Sequence, residues 1–261
     1  TINSQENFLI NISHDLRSPV NSILSVLQCL KYLNTDNSKE VKEKTNEYRK
    51  IIKRNSLKII KLIDNLIDTT KLEGDNYHLN KTNLDIVNVV ESIVDSIEVY
   101  ANEKKINIIF DTNVEEFMIN ADLEAVDRIV MNLLSNAIKF SPVDEVIEVT
   151  VNAEENNVKI SVKDNGIGIA EEEQKKIFNR FEQATNSKRV EGKGSGIGLD
   201  LVSYLVKSHG GKIQLNSKLN EGSEFIVTLP VGKLSEDKEN HELMSRNKVE
   251  QLEIEFSDIY L

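Results

Sequence analysis

Ser13-His14-Asp15-Leu16-Arg17-Ser18-Pro19 sits inside two interleaved series of apolar positions, each with a seven-residue repeat. Leu9, Leu16, Ile23 and Leu30 make one series. Ile12, Pro19, Val26 and Leu33 make the other, with Pro19 its one non-aliphatic member. Alternating steps of three and four mark a helix packed in a bundle or coiled coil. With Leu9 and Leu16 at a and Ile12 at d, His14 falls at f, furthest from the seam, where packing gives no reason for a histidine. The adjoining Asp15 can accept a proton or hold one imidazole tautomer. Pro19 removes a backbone donor, so the helix should kink or loosen one turn below the imidazole. A lone exposed histidine is usually only a solvated side chain, so the rest of the chain decides its meaning.

Working outward, residues 2–33 read as one long helix, and Asn34-Thr35-Asp36-Asn37-Ser38 as a polar turn in which Ser38 is a good N-cap. A second helix is expected over 39–72, with an apolar stripe at Ile52, Ile59, Ile60, Ile63, Leu66 and Ile67. Two long amphipathic helices on a short loop make an antiparallel hairpin, which alone leaves much of its stripe in water. Pairing of two copies into a four-helix bundle covers it, so a homodimer is expected. Residues 1–74 are thus an all-α helical hairpin, and 75–84 a linker. Residues 85–232 then mix helices (84–104, 122–140, 198–209) with strands (106–110, 146–151, 158–162, 212–216, 225–229). Without strict βαβ alternation, that mixture implies an α/β sandwich, helices on one face of a mixed sheet. Residues 171–197 read as a mobile loop with one short helix. The tail, 233–261, admits a disordered segment, an edge strand through Leu252, Ile254 and Phe256, or the start of a linker.

The chain has 261 residues, a net charge of -11 and 5% aromatic residues, which argues against nucleic-acid binding: there is no basic excess and little to stack on bases. A single cysteine, Cys29, suits a reducing, cytoplasmic compartment. No run reaches the ~20 apolar residues of a membrane span. The opening Thr1-Ile2-Asn3, in mid-heptad and without Met, reads as part of a longer chain. Any anchor in the inner membrane is then expected upstream.

Four blocks carry the chemistry. The helix over 122–140 puts Arg128, Asn132, Asn136 and Phe140 on one face, with Lys139 close by. An amide oxygen is a hard ligand suited to Mg²⁺, and lysine can neutralise phosphate. Asp164-Asn165-Gly166-Ile167-Gly168 follows a strand; its acid can accept a hydrogen bond from an exocyclic amine, and its glycines can let backbone approach a flat ring. Ile177-Phe178-Asn179-Arg180-Phe181 sets two aromatics around a cation. Gly192-Lys193-Gly194-Ser195-Gly196-Ile197-Gly198 opens a helix, where bare N–H groups and the helix N-terminus favour phosphate.

Singly these are weak signals. In this order they resemble the N, G1, F and G2 boxes of the Bergerat (GHKL) ATP-binding fold in the version found in sensor histidine kinases. Residues 13–19 resemble the H-box of the same family, His-Glu/Asp-x-x-Thr/Asn-Pro, matching at His14, Asp15 and Pro19 and departing at Ser18. The resemblance implies ATP and Mg²⁺ as cofactors, with Asn136 on the metal and Asn132 and Lys139 on the phosphates. Asp164 would read the adenine amine, with Gly166 and Gly168 shaping its pocket beside Phe140. Phe178, Arg180 and Phe181, with Lys193, Gly194, Ser195, Gly196, Gly198 and Leu199, would form the lid. It further implies γ-phosphoryl transfer to His14 with Asp15 as proton partner, then transfer to an aspartate of a response regulator receiver domain. Ser18 would serve a regulator phosphatase activity. The rivals are a GHKL-type ATPase and a nucleotide-binding dimeric scaffold without kinase activity. Against the first, such ATPases resemble one another in a carboxylate four residues before the metal-binding Asn; here that position is Asn132, which cannot act as a base.

Overall fold

The computed structural model describes residues 2–32, 39–73, 78–180, 182–184, 196–234 and 247–258. Helices α1 (Ile2–Tyr32) and α2 (Lys39–Glu73) pack on one another as a hairpin, and α1 runs through Pro19 without a break. The heptad series loses solvent as its spacing dictates: Pro19 and Val26 are buried, Leu16, Ile23 and Leu30 half-buried. The expected turn over 34–38 lies outside the described residues. A second stripe stays in water. Val20, Leu24 and Leu27 of α1 and Ile60, Ile63 and Ile67 of α2 are 37% to 51% exposed.

The next elements are β1 (Thr82–Asp85), α3 (Ile86–Glu103), β2 (Asn107–Thr112), β3 (Met118–Ala121) and α4 (Leu123–Phe140). They are followed by β4 (Val146–Ala153), β5 (Asn157–Asp164), a 3-10 turn at Lys176–Phe178, α5 (Gly198–Ser208), β6 (Lys212–Lys218) and β7 (Gly222–Pro230). The sheet order is β2-β4-β5-β7-β6, parallel between β2 and β4 and antiparallel elsewhere. Alternate residues of the central strands, among them Val149, Val151, Val158, Ile160 and Val227, are fully buried against α3, α4 and α5. This is the expected α/β sandwich.

Two expectations are corrected. Residues 82–84, assigned to the linker, belong to β1, which pairs antiparallel with the unforeseen β3. Both strands are too short to show a period. The tail is neither edge strand nor linker where described: it forms α6 (Asn247–Glu255) and a 3-10 turn, Phe256–Asp258. A helix puts Leu252 and Phe256, four residues apart, on one face, and these two are the buried ones at 6% and 0% exposure. Ile254, which a strand would have placed with them, is only half-buried.

Candidate functional site

A cavity of about 480 Å³ opens between the sandwich and the hairpin. α4 supplies Asn132, Asn136, Lys139 and Phe140 to its wall; Asp164 and Gly168 come from the end of β5 and beyond. Gly196, Gly198 and Leu199 enter from the start of α5, and Asp15, Ser18 and Pro19 from α1. Ile177 enters from the third block, so the H-box and all four nucleotide blocks meet at one space.

The register of α4 is fixed at both ends. Asp122 caps it, one carboxylate oxygen accepting from Ala125 N at 3.0 Å and the other from Asn80 N at 2.7 Å. The Asp122 amide donates to Nε2 of buried His209 at 3.1 Å, so Nδ1, 2.8 Å from Leu205 O, carries the proton of a neutral ring. Burial holds the His209 pKa below its ordinary value. At the other end the Lys104 ammonium donates to Ile138 O, Lys139 O and Ser141 O at 2.8, 2.9 and 2.7 Å. It is a cation on the last carbonyls of a helix, and burial lowers its pKa. Between these ends Ile129, Leu133, Leu134 and Ile138 are buried in the core, which turns the amide stripe to the cavity. Asn132 Nδ2 donates to Arg128 O at 2.9 Å, leaving Oδ1 toward α5. A Cβ on Gly198 would lie 2.4 Å from that oxygen. Lys139 Nζ lies 5.4 Å from the centroid of the Phe140 ring, within cation–π range.

Asp164 is 6% exposed. Burial pushes its carboxyl from 3.8 up to about 6, while backbone N–H bonds from Gly166 and Ser223 pull the other way. The Gly166 N–H reaches Oδ1 at 2.8 Å. The glycines have a structural duty besides any contact with a ring. Gly168 sits at φ +60, and a Cβ there would fall 1.9 Å from Lys218 O, so only glycine lets this loop close on the β6–β7 turn. Gly166 holds a similar close approach to Phe140 O.

Other members of the expected set stand back from the cavity. Phe178 packs edge-on against Phe225 with centroids 6.3 Å apart, and Ile177 lines the cavity in its place. Arg180 Nε donates to Asp200 Oδ2 at 2.8 Å, tying this segment to the first turn of α5. Phe181, Lys193, Gly194 and Ser195 lie outside the described residues. So does the side chain of His14, whose backbone is helical in α1, one residue before Asp15. Lys58, Lys61, Leu62 and Asn65 of α2 and Glu255 of α6 line the cavity unforeseen. No motif marks them, because they are brought in by packing between distant segments.

Residues 4–75 match the His Kinase A (phospho-acceptor) domain, and residues 121–233 match the histidine kinase-, DNA gyrase B- and HSP90-like ATPase family. The chain carries the catalytic core of a sensor histidine kinase. It is 28% identical over 232 residues to the sensor histidine kinase WalK of Bacillus subtilis, covering 88% of this chain and 37% of that one. Histidine protein kinase DivJ of Caulobacter vibrioides is 29% identical over 224 residues, again with 37% of its length covered. The histidine kinase core therefore spans well under half of these relatives. In fold it is similar to the Acinetobacter baumannii histidine kinase AdeS, with a TM-score of 0.63 at 20% identity over 84% of this chain and 98% of that one. Histidine kinase ThkA, solved in complex with the response regulator protein TrrA, gives a TM-score of 0.60 at 21% identity, covering 86% of this chain and 61% of that one.

The donor set of this histidine kinase core fits ATP. A buried acceptor, Asp164, suits an exocyclic amine, and Lys139 with the start of α5 suits phosphate. Among the described residues no cluster of His, Cys, Asp or Glu could hold a metal by itself. The Asn136 amide fits an ion that takes most of its ligands from phosphate and water, as Mg²⁺ does.

Proposed function

We propose that this core transfers the γ-phosphoryl group of ATP to His14 and then passes it to an aspartate of a response regulator receiver domain. The observation that carries the reading is the shared cavity. Asp15 and Ser18, which flank His14 in α1, line the same space as Asn136, Lys139 and Asp164. Phosphoryl transfer needs alignment and charge neutralisation more than covalent help from the protein. Asp164 accepts the adenine amine, and Lys139 with the α5 N-terminus balances the phosphates. Mg²⁺ held at Asn136 would neutralise further phosphate charge. An imidazole nitrogen of His14 bonds the γ-phosphorus as its bond to the bridging oxygen breaks and ADP leaves. Asp15 takes, or orients, the imidazole proton.

The exposed stripes on α1 and α2 support a homodimer, since a second hairpin would cover them. The regulator partner is supported by ThkA, solved with TrrA. Ser18 is exposed and lines the cavity, which supports a role for its hydroxyl in orienting water for regulator dephosphorylation. Among the described residues no helix is long and apolar enough to cross a membrane.

Incubation with γ-labelled ATP separates this reading from its rivals. Acid-labile, alkali-stable label on the protein is the kinase result. Free phosphate alone would make it an ATPase, which Asn132 disfavours by standing where a water-activating carboxylate is needed. Neither product would leave a nucleotide-binding scaffold.

A further inference from the structure

Helix α6 and its 3-10 turn lie beyond residue 233, outside both family matches, yet they are built into the molecule at two places. One is the catalytic domain. Phe256, fully buried, stacks on Tyr100 of α3 with ring centroids 4.9 Å apart and 26° between planes. Leu252 is buried in the same core. The other is the hairpin. Lys53 of α2 pairs with Glu253 at 2.6 Å. Lys61 of α2 meets Glu255 twice, at its carboxylate at 3.2 Å and its backbone carbonyl at 2.6 Å. The second pair is largely shielded, with side chains 17% and 19% exposed, and both residues line the nucleotide cavity. One face of a nine-residue helix is thus anchored in the ATP domain while its charges hold α2.

We propose that residues 247–258 are a clasp that holds the ATP cavity against α1 of the same chain, so that phosphoryl transfer to His14 runs within one chain. The inference rests on the kinase reading above and adds the positioning element. Two domains joined by a linker sample many orientations, and each non-productive one lowers the fraction competent for transfer. The clasp narrows that sampling by adding a second attachment between the hairpin and the ATP domain besides the linker. It touches no substrate at Glu253, so its effect should fall on the rate and not on nucleotide affinity.

The test uses the full 261-residue protein, with γ-labelled ATP for the rate of label incorporation and a fluorescent ATP analogue for Kd. Glu253→Lys, at an exposed pair whose loss does not threaten folding, should slow incorporation about fivefold with Kd unchanged. The reversed pair, Lys53→Glu with Glu253→Lys, should recover to within about twofold of wild type. Deleting residues 247–261 should slow incorporation further, with far-UV circular dichroism reporting that the domain still folds. Mixed dimers of His14→Gln with Asn136→Ala chains should gain almost no label. The clasp is overturned if Glu253→Lys leaves the rate unchanged or raises it, if the reversed pair fails to recover, or if the mixed dimers take up label at a substantial share of the wild-type rate, up to the half that one intact acceptor and one intact ATP site allow. Wild-type protein that binds nucleotide and takes up no label would sink the kinase reading instead.

Discussion

Replacing Asp164 by Asn should weaken nucleotide binding and yet stabilise the empty protein. A carboxyl held at about 6 in place of its ordinary 3.8 means that its ionisation costs the folded state on the order of 3 kcal/mol. The sign follows from proton uptake. Between those two values the folded protein binds more protons than the unfolded chain, so this group's contribution to stability falls as pH rises from 4 to 6 and stays lost above. An amide of the same shape keeps the Gly166 N–H bond to its oxygen and removes the ionisation, so Tm at pH 7 should rise. Binding should move the other way. The amide can present its NH₂ to the adenine amine, and a charged hydrogen bond of about 1.5–3 kcal/mol is lost, a factor of roughly ten to a hundred in Kd. In the wild type only the ionised carboxylate is a full acceptor, and one pH unit below 6 about a tenth of it remains. Adenosine affinity should therefore drop about tenfold from pH 7 to pH 5, and the Asn variant should lose that pH step. Calorimetry with adenosine, which carries no phosphate to titrate, reads the binding, and differential scanning reads Tm. A variant that binds as tightly as wild type, or that melts lower at pH 7 with a flat pH profile, would refute the assignment of Asp164.

Lys104→Met should remove three hydrogen bonds from the last turn of α4 and cost about 2 kcal/mol or more by urea unfolding; a change below about 0.5 kcal/mol would show that those carbonyls need no cation. Gly198→Ala would press on Asn132 Oδ1, so ATP affinity should fall while adenosine affinity holds, and an equal loss of both would place the damage elsewhere. Leu24→Glu with Ile63→Glu puts charge into both exposed stripes and should turn the dimer into a monomer by light scattering, whereas an unchanged mass would remove those stripes from the interface. Ser18→Ala should slow regulator dephosphorylation and spare labelling of His14; loss of both together would contradict a separate role for that hydroxyl.

What the sequence revealed and what it hid follow from the range of the forces involved. The hairpin was legible because heptad spacing is a local property repeated over many turns, and α1 and α2 end within a residue of their expected limits. The amide stripe on α4 was legible because helical geometry alone puts Asn132, Asn136 and Phe140 together. β1 and β3 escaped because each is four residues long and exists only through the other. Lys104, Lys61 and Glu255 escaped for a related reason: each acts on a residue far along the chain, and nothing in its neighbours announces the partner. The glycines of 166–168 were read as room for a ligand, while the structure gives Gly168 a closer neighbour in the Lys218 carbonyl. Turn sterics and ligand approach ask for the same residue, so only coordinates separate them.

Whether His14 is the phosphoryl acceptor is read most directly by comparing wild type with His14→Gln in γ-labelled ATP, each first shown to bind nucleotide with the same Kd. Acid-labile label on the wild type and none on the Gln variant is the expected result. Label that persists on the variant, or that survives acid on the wild type, would contradict it.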